Sequence, residues 1–293
     1  MEKTVDDIKR DVEYFIKIWE KGNETPSAFQ HTKEVWDKRA DRWASAFDRP
    51  NAKVKSRKRM LAIADYLRRH ELLCKGHKVI DIGCGQGEYV AEFARTAGHA
   101  TGADLSTKML EYAELNARKC GVDNVSFVQC DFNEADVRAL GWEKAFDLVF
   151  TCITPAFSGI KALEKINSMS RGWCFNNGWA YQNNNIGNRV KEALLAPGES
   201  DGKRPESTYS LFNILWLKGC RPSVEYYKEA SEDLVKVDEE TAAHYASMAL
   251  PRDRIDDDAA KKTIGIMNEM AVDGFVTERV ESMFVWILWR AVF

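Results

Sequence analysis

The chain has no long apolar run. Its most apolar stretch, Met283-Phe284-Val285-Trp286-Ile287-Leu288-Trp289, is far shorter than a bilayer span requires. The opening residues Met1-Glu2-Lys3-Thr4-Val5-Asp6-Asp7 are charged and have no apolar signal core. No membrane partner and a cytoplasmic location are therefore expected. Charge of either sign is not in excess: 42 Lys and Arg against 45 Asp and Glu leave a net charge of −3. That balance gives no bulk reason to expect a nucleic-acid partner. The seven cysteines are odd in number and scattered without a C-x-x-C pair, which argues against a disulfide framework and a structural zinc site. No internal repeat or low-complexity segment is present. What remains is a chain of 293 residues, 45% hydrophobic and 30% charged, long enough for one large domain or two small ones.

The informative stretch is Val79-Ile80-Asp81-Ile82-Gly83-Cys84-Gly85-Gln86-Gly87-Glu88-Tyr89-Val90. An apolar run ends in an acid, three glycines follow at alternate positions, and an amphipathic helix begins. Glycines at 83, 85 and 87 permit positive φ and close approach of a ligand to the backbone. The dinucleotide fingerprint would need its third glycine at position 88, where this chain has Glu88, so a nicotinamide-type site is disfavoured. Downstream, Ala100 to Asp104 reads as a second strand. An acid at its end can accept both hydroxyls of a ribose. Leu105 can pack on an adenine face, and Ser106 or Thr107 can cap a helix from Lys108 to Cys120. A third strand, Asn124 to Cys130, runs into Asp131-Phe132. A fourth, Phe146 to Phe150, runs into Thr151-Cys152.

The order D-x-G-x-G-x-G in Asp81 to Gly87 resembles motif I of the class I S-adenosylmethionine (SAM)-dependent methyltransferases. The resemblance implies an α/β fold: a doubly wound, mostly parallel, seven-stranded Rossmann-like sheet with an N-terminal helical lid and C-terminal insertions. It implies SAM as cofactor, with Asp81, Gly83, Cys84, Gly85 and Gly87 around the methionyl end. Asp104 and Leu105 then serve the ribose and adenine, Asp131 and Phe132 the adenine edge, and Thr151 the methyl end. His31 to Phe47 resembles the W-D-x-R-A segment before the core of many small-molecule methyltransferases, where it forms part of a lid. On that resemblance Trp36, Trp43 and Phe47 close an apolar roof and Arg39 meets the SAM carboxylate. Docking of the same aromatics onto the core is the competing reading.

The core is expected to alternate strand and helix, with a helix at 56–73, a strand at 78–82 and a helix at 87–97. A fifth strand is expected near Gly172 to Asn177, with others at Ser223 to Glu229 and Met283 to Ala291, the last antiparallel. Residues 1–60 are assigned to a helical lid and 61–293 to the core. Insertions near 179–221 and 233–273 are read as a substrate lid, with surface decoration or a dimer contact as the alternative.

Methyl transfer leaves little signature of a catalytic residue, because the donor is already activated and the protein aligns and dries the reactants. No catalytic residue is assigned. The N/D-P-P-Y/F motif of amino-methylating enzymes is absent from Thr151 to Phe157, and Cys152 lacks the preceding proline of cytosine-C5 enzymes. Asp147 has no partner for a metal site, so no metal is expected. Trp179, Tyr181, Gln182, Asn183 and Trp216 suit a small organic acceptor. The expected function is methyl transfer to a small molecule. The alternatives are an RNA or protein methyltransferase using the basic stretch Lys53 to Arg59, and a non-catalytic SAM-binding regulator. The pattern fixes no oligomeric state.

Overall fold

A computed structural model describes residues 4–23, 32–46, 50–196, 206–250 and 254–291. Three N-terminal helices, α1 (Val5–Asn23), α2 (Lys33–Ala46) and α3 (Pro50–Arg69), precede the sheet. Strands β1 (Lys78–Ile82), β2 (His99–Asp104), β3 (Val125–Gln129) and β4 (Phe146–Cys152) alternate with α4 (Glu88–Ala94), α5 (Thr107–Cys120) and α6 (Ile160–Met169). Then come β5 (Ser170–Asn184), α7 (Asn185–Leu194), α8 (Glu206–Leu217) and β6 (Ser223–Lys236). The chain closes with α9 (Glu239–Ala249), α10 (Asp257–Met270) and β7 (Phe275–Arg290). The sheet order is β3-β2-β1-β4-β5-β7-β6. The first five strands run parallel, and β7 lies antiparallel to both β5 and β6. This is the doubly wound, mostly parallel sheet expected from the sequence.

Strand parity sends side chains to two opposite cores. Ile80, Ile82, Val149, Cys174 and Trp289 pack on one face with α6 and α8. Val79, Leu148, Phe150, Phe175 and Trp286 pack on the other with α3 and α4. All seven cysteines are free thiols, in keeping with their scattered spacing. No described helix is long and apolar enough to cross a membrane.

Several boundaries differ from the sequence reading. One helix, α3, runs without a break through residue 60, where the lid was expected to end. Its inner face carries Met60, Ile63, Ala64 and Leu67 into the core, so the expected boundary falls inside one packed helix. Trp179 to Asn184 continue β5, and Asp233 to Lys236 continue β6. The additions to the core therefore start at Asn185 and after Lys236. The three long strands project past the sheet, and their polar alternation suits a half-covered ribbon. Their ends carry a satellite core of Ile186, Val190, Ala242, Tyr245, Met267 and Val276. Each of the three helices there is capped at its start: Asn184 Oδ1 accepts from Gly187 N, Asp238 from Thr241 N, and Asp256 from Ala259 N.

Candidate functional site

The glycine turn is held from behind by β2. Gly83 N and Cys84 N both donate to the Ala103 carbonyl, at 2.7 and 3.0 Å. Gly83, Gly85 and Gly87 all adopt positive φ, at 74°, 52° and 69°. Asp104 completes the turn: its Oδ2 accepts from Gly85 N at 2.8 Å and its Oδ1 from Ser106 N at 2.9 Å. Ser106 caps α5 as expected, accepting from Met109 N.

Seven of the expected residues line one cleft at the strand ends: Trp36, Gly83, Gly85, Asp104, Leu105, Asp131 and Phe132. Asp37, which the sequence reading passed over, holds α2 to this cleft. Its carboxylate accepts from the Ser106 hydroxyl and from Lys108 N at the start of α5. Burial pushes Asp37 up, but the hydrogen bonds from Lys33 and Ser106 hold it below the ordinary value. No local pattern pairs Asp37 with a helix start that lies 69 residues on. Lys165 fixes the far side by donating to the Phe132 and Asn133 carbonyls at 2.8 and 2.6 Å.

The other expected residues act elsewhere. Asp81 is 3% exposed and stands behind the turn rather than on the cleft wall. The Cys84 side chain is buried, and a Cβ at Gly102 would stand 2.8 Å from its sulfur. Gly87 packs α4 against α5, where a Cβ would stand 2.7 Å from that of Ala113. The Thr151 hydroxyl turns away from the cleft and donates toward the Phe175 carbonyl and Asn176 Oδ1. The side chains of Arg39 and Trp43, and Phe47 entirely, lie outside the described residues.

The segment after β4 closes the cleft. Ile153 holds φ at +48°, a left-handed conformation costly for a β-branched residue. Thr154 then leans over Gly83, so that a Cβ there would overlap its Oγ1. The open volume left is about 90 Å³, below the range of small-molecule pockets. The same Ile153, Thr154 and Pro155 form the near wall of a second cavity of about 660 Å³. Helix α1 brings Trp19 to its wall, edge-on to Phe157 with ring centroids 5.5 Å apart. Asn176, Asn177, Trp179 and Tyr181 from β5 and Thr208 from α8 complete it. Asn177 Nδ2 donates to the Cys152 sulfur, and its Oδ1 is buried without a hydrogen-bond partner.

Two buried carboxyl groups share the turn. Burial, and then the neighbouring Asp104, push the Asp81 carboxyl well above the usual carboxylate range. Burial also raises Asp104, against the hydrogen bonds from Ser106 and Gly85. The cleft lining carries Asp104 and Asp131 and no basic side chain among the described residues. Because Asp81 binds its proton more tightly folded than unfolded, its contribution favours folding below pH about 4 and is lost as pH rises through the folded-state value. Asp81→Asn in the ligand-free protein should therefore raise Tm, by on the order of 2–4 °C at pH 8 and by less at pH 5. Calorimetric melts across that range check this; an equal shift at both pH values would remove the buried charge as its cause.

The parallel sheet with one antiparallel strand, and a glycine turn held between two acids, define a Rossmann-like cofactor-binding domain. Part of the chain is similar to known methyltransferases. Residues 73–171 match the family model described as a methyltransferase domain. The ubiquinone biosynthesis O-methyltransferase of Paracidovorax citrulli is 37% identical over 81 residues, 27% of this chain and 32% of that protein. The 23S rRNA (uracil(1939)-C(5))-methyltransferase of Aeromonas salmonicida is 36% identical over 86 residues, 29% of this chain and 19% of that protein. The match thus spans a third or less of these relatives. Among solved structures, magnesium protoporphyrin IX methyltransferase from Synechocystis PCC 6803 superposes with a TM-score of 0.50 at 14% identity, covering 86% of this chain and 97% of that one. A candidate methyltransferase from Bacillus halodurans C-125 gives 0.51 at 12% identity, covering 78% and 99%. These two likenesses are of fold.

Proposed function

We propose that this protein transfers the methyl group of SAM to a small organic molecule. The observation that carries the reading is the shared wall: the acid-lined cleft and the 660 Å³ cavity meet at Ile153, Thr154 and Pro155. A volume of that size, walled by aromatic rings and amides, suits a small molecule rather than a polymer. The family-matching residues on the cleft suit SAM. Asp104 would accept from the ribose hydroxyls, and Leu105, Phe132 and Trp36 would enclose the adenine, with Asp131 at its edge. Asp81, behind the turn, would give up its proton only with a cation such as the methionyl ammonium close by.

SAM, when bound, supplies an electrophilic methyl on a sulfonium. The chain's own task is then alignment and exclusion of water. The 153–156 segment separates donor from acceptor, and its displacement would join the two spaces. Trp19, Phe157 and Trp179 keep the acceptor side apolar, where a charged sulfonium is poorly solvated and transfer of its charge is favoured.

The basic stretch gives less support to a polyanion partner. Arg57 and Lys58 are exposed, but Arg59 is taken up internally, paired with Glu229 at 2.8 Å and stacked over Phe284 at 4.3 Å. The test is a calorimetric titration with SAM, S-adenosylhomocysteine (SAH) and NAD. Micromolar binding of the adenosyl ligands, about −8 kcal/mol, with none for NAD is expected. Well-folded protein that binds neither SAM nor SAH would end the reading.

A further inference from the structure

One polar side chain on the large cavity has its orientation set from behind. Asn176 is 8% exposed and lines that cavity. Its Oδ1 accepts from the Thr151 hydroxyl at 3.0 Å, and Thr151 is fully buried. With Oδ1 so engaged, the Nδ2 end of the amide is left for the cavity. Residue 178 must be glycine to leave room: a Cβ there would stand 3.2 Å from Asn176 Nδ2 and 2.6 Å from the Thr208 hydroxyl. Trp19, Phe157, Trp179 and Tyr181 supply ring surface, and the charged lining among the described residues is Lys191, with no Asp or Glu.

We infer that Asn176 is a specificity-determining residue of the acceptor site, donating from Nδ2 to a carboxylate or carbonyl oxygen on a flat aromatic acceptor. Thr151 is its positioning residue. This deepens the methyl-transfer reading, on which the word acceptor rests, by naming the substrate class. An N–H donor takes an oxygen acceptor and turns away an ammonium, which has only donors. Aromatic rings bury a flat apolar body. A buried amide donor rejects an analogue that leaves it unpaired.

The test is calorimetric titration of the full chain, saturated with SAH, with 2-naphthoate and with 2-naphthylmethylammonium. The two probes share a flat body and carry opposite charge. Naphthoate should bind at least about tenfold more tightly. Asn176→Leu and Thr151→Val should each erase most of that preference, and Thr151→Ser, which keeps the hydroxyl, should restore it. SAH affinity and Tm, measured on every variant, separate a lost contact from a lost fold. A preference for the ammonium probe, no binding of either probe at millimolar concentration, or a naphthoate preference surviving Asn176→Leu overturns the inference. Failure of the wild-type chain to bind SAH would instead overturn the methyl-transfer reading, and the probe comparison without SAH would still decide on Asn176.

Discussion

Gly83→Ala should abolish SAH binding and lower Tm by on the order of 4–10 °C. Two costs add at this position. An L-residue held at φ 74° costs about 1–2 kcal/mol. The new methyl would also overlap Thr154 Oγ1, so either the turn or the 153–156 segment must shift. The turn resists, because Gly83 N and Cys84 N are both bonded to the Ala103 carbonyl. Gly85→Ala is the control: φ is 52° there, but nothing stands within 4 Å of the added carbon. It should cost less stability than Gly83→Ala yet still weaken SAH, since the methyl enters the cleft. Thermal melts and SAH titrations on both variants distinguish the two. Equal melting shifts would show that Thr154 yields freely and that backbone conformation alone sets the cost.

For Asp104→Ala the expected result is a loss of SAH affinity of at least about a hundredfold. The carboxylate joins Gly85 N to Ser106 N, and each such charge-assisted bond is worth about 1.5–3 kcal/mol. Its removal leaves the Gly85 amide without its acceptor and frees the turn, in addition to removing the proposed ribose contact. Asp104→Asn keeps an acceptor oxygen and should fall between the wild type and the alanine variant. Calorimetry with SAH checks both. Binding within about threefold of wild type for the alanine variant would take Asp104 out of the site.

The first half of the site was legible because strand, turn and cap are local. Lys78–Ile82 forms the expected strand, and Ser106 caps the expected helix. The second half depends on partners distant in sequence. Whether Thr151 faces the cofactor or its neighbour strand is decided by its register opposite Asn176, which no local pattern reports. The segment Thr151 to Phe157 was read for the motifs it lacks. Its positive-φ isoleucine, which sets both cavities, has no glycine to announce it. Arg59 looked like one of a basic run. Its burial depends on Glu229 and Phe284, distant in the chain. The last three strands were expected, but their extensions to Asn184, to Lys236 and back to Phe275 were missed for a different reason. Past the sheet their faces are half covered, so polar alternation there resembles loop composition.

Strand β6 ends the sheet with 14 residues that, among the described residues, have no further strand beside them. Such a rim is a template on which another extended chain could add itself. Glu225, Lys228, Glu232 and Lys236 recur along it at exposed positions. A second copy aligning there would have to strip water from these charges and set like charges against each other in several registers. The charges along this edge thus weigh against growth of the sheet into a fibre.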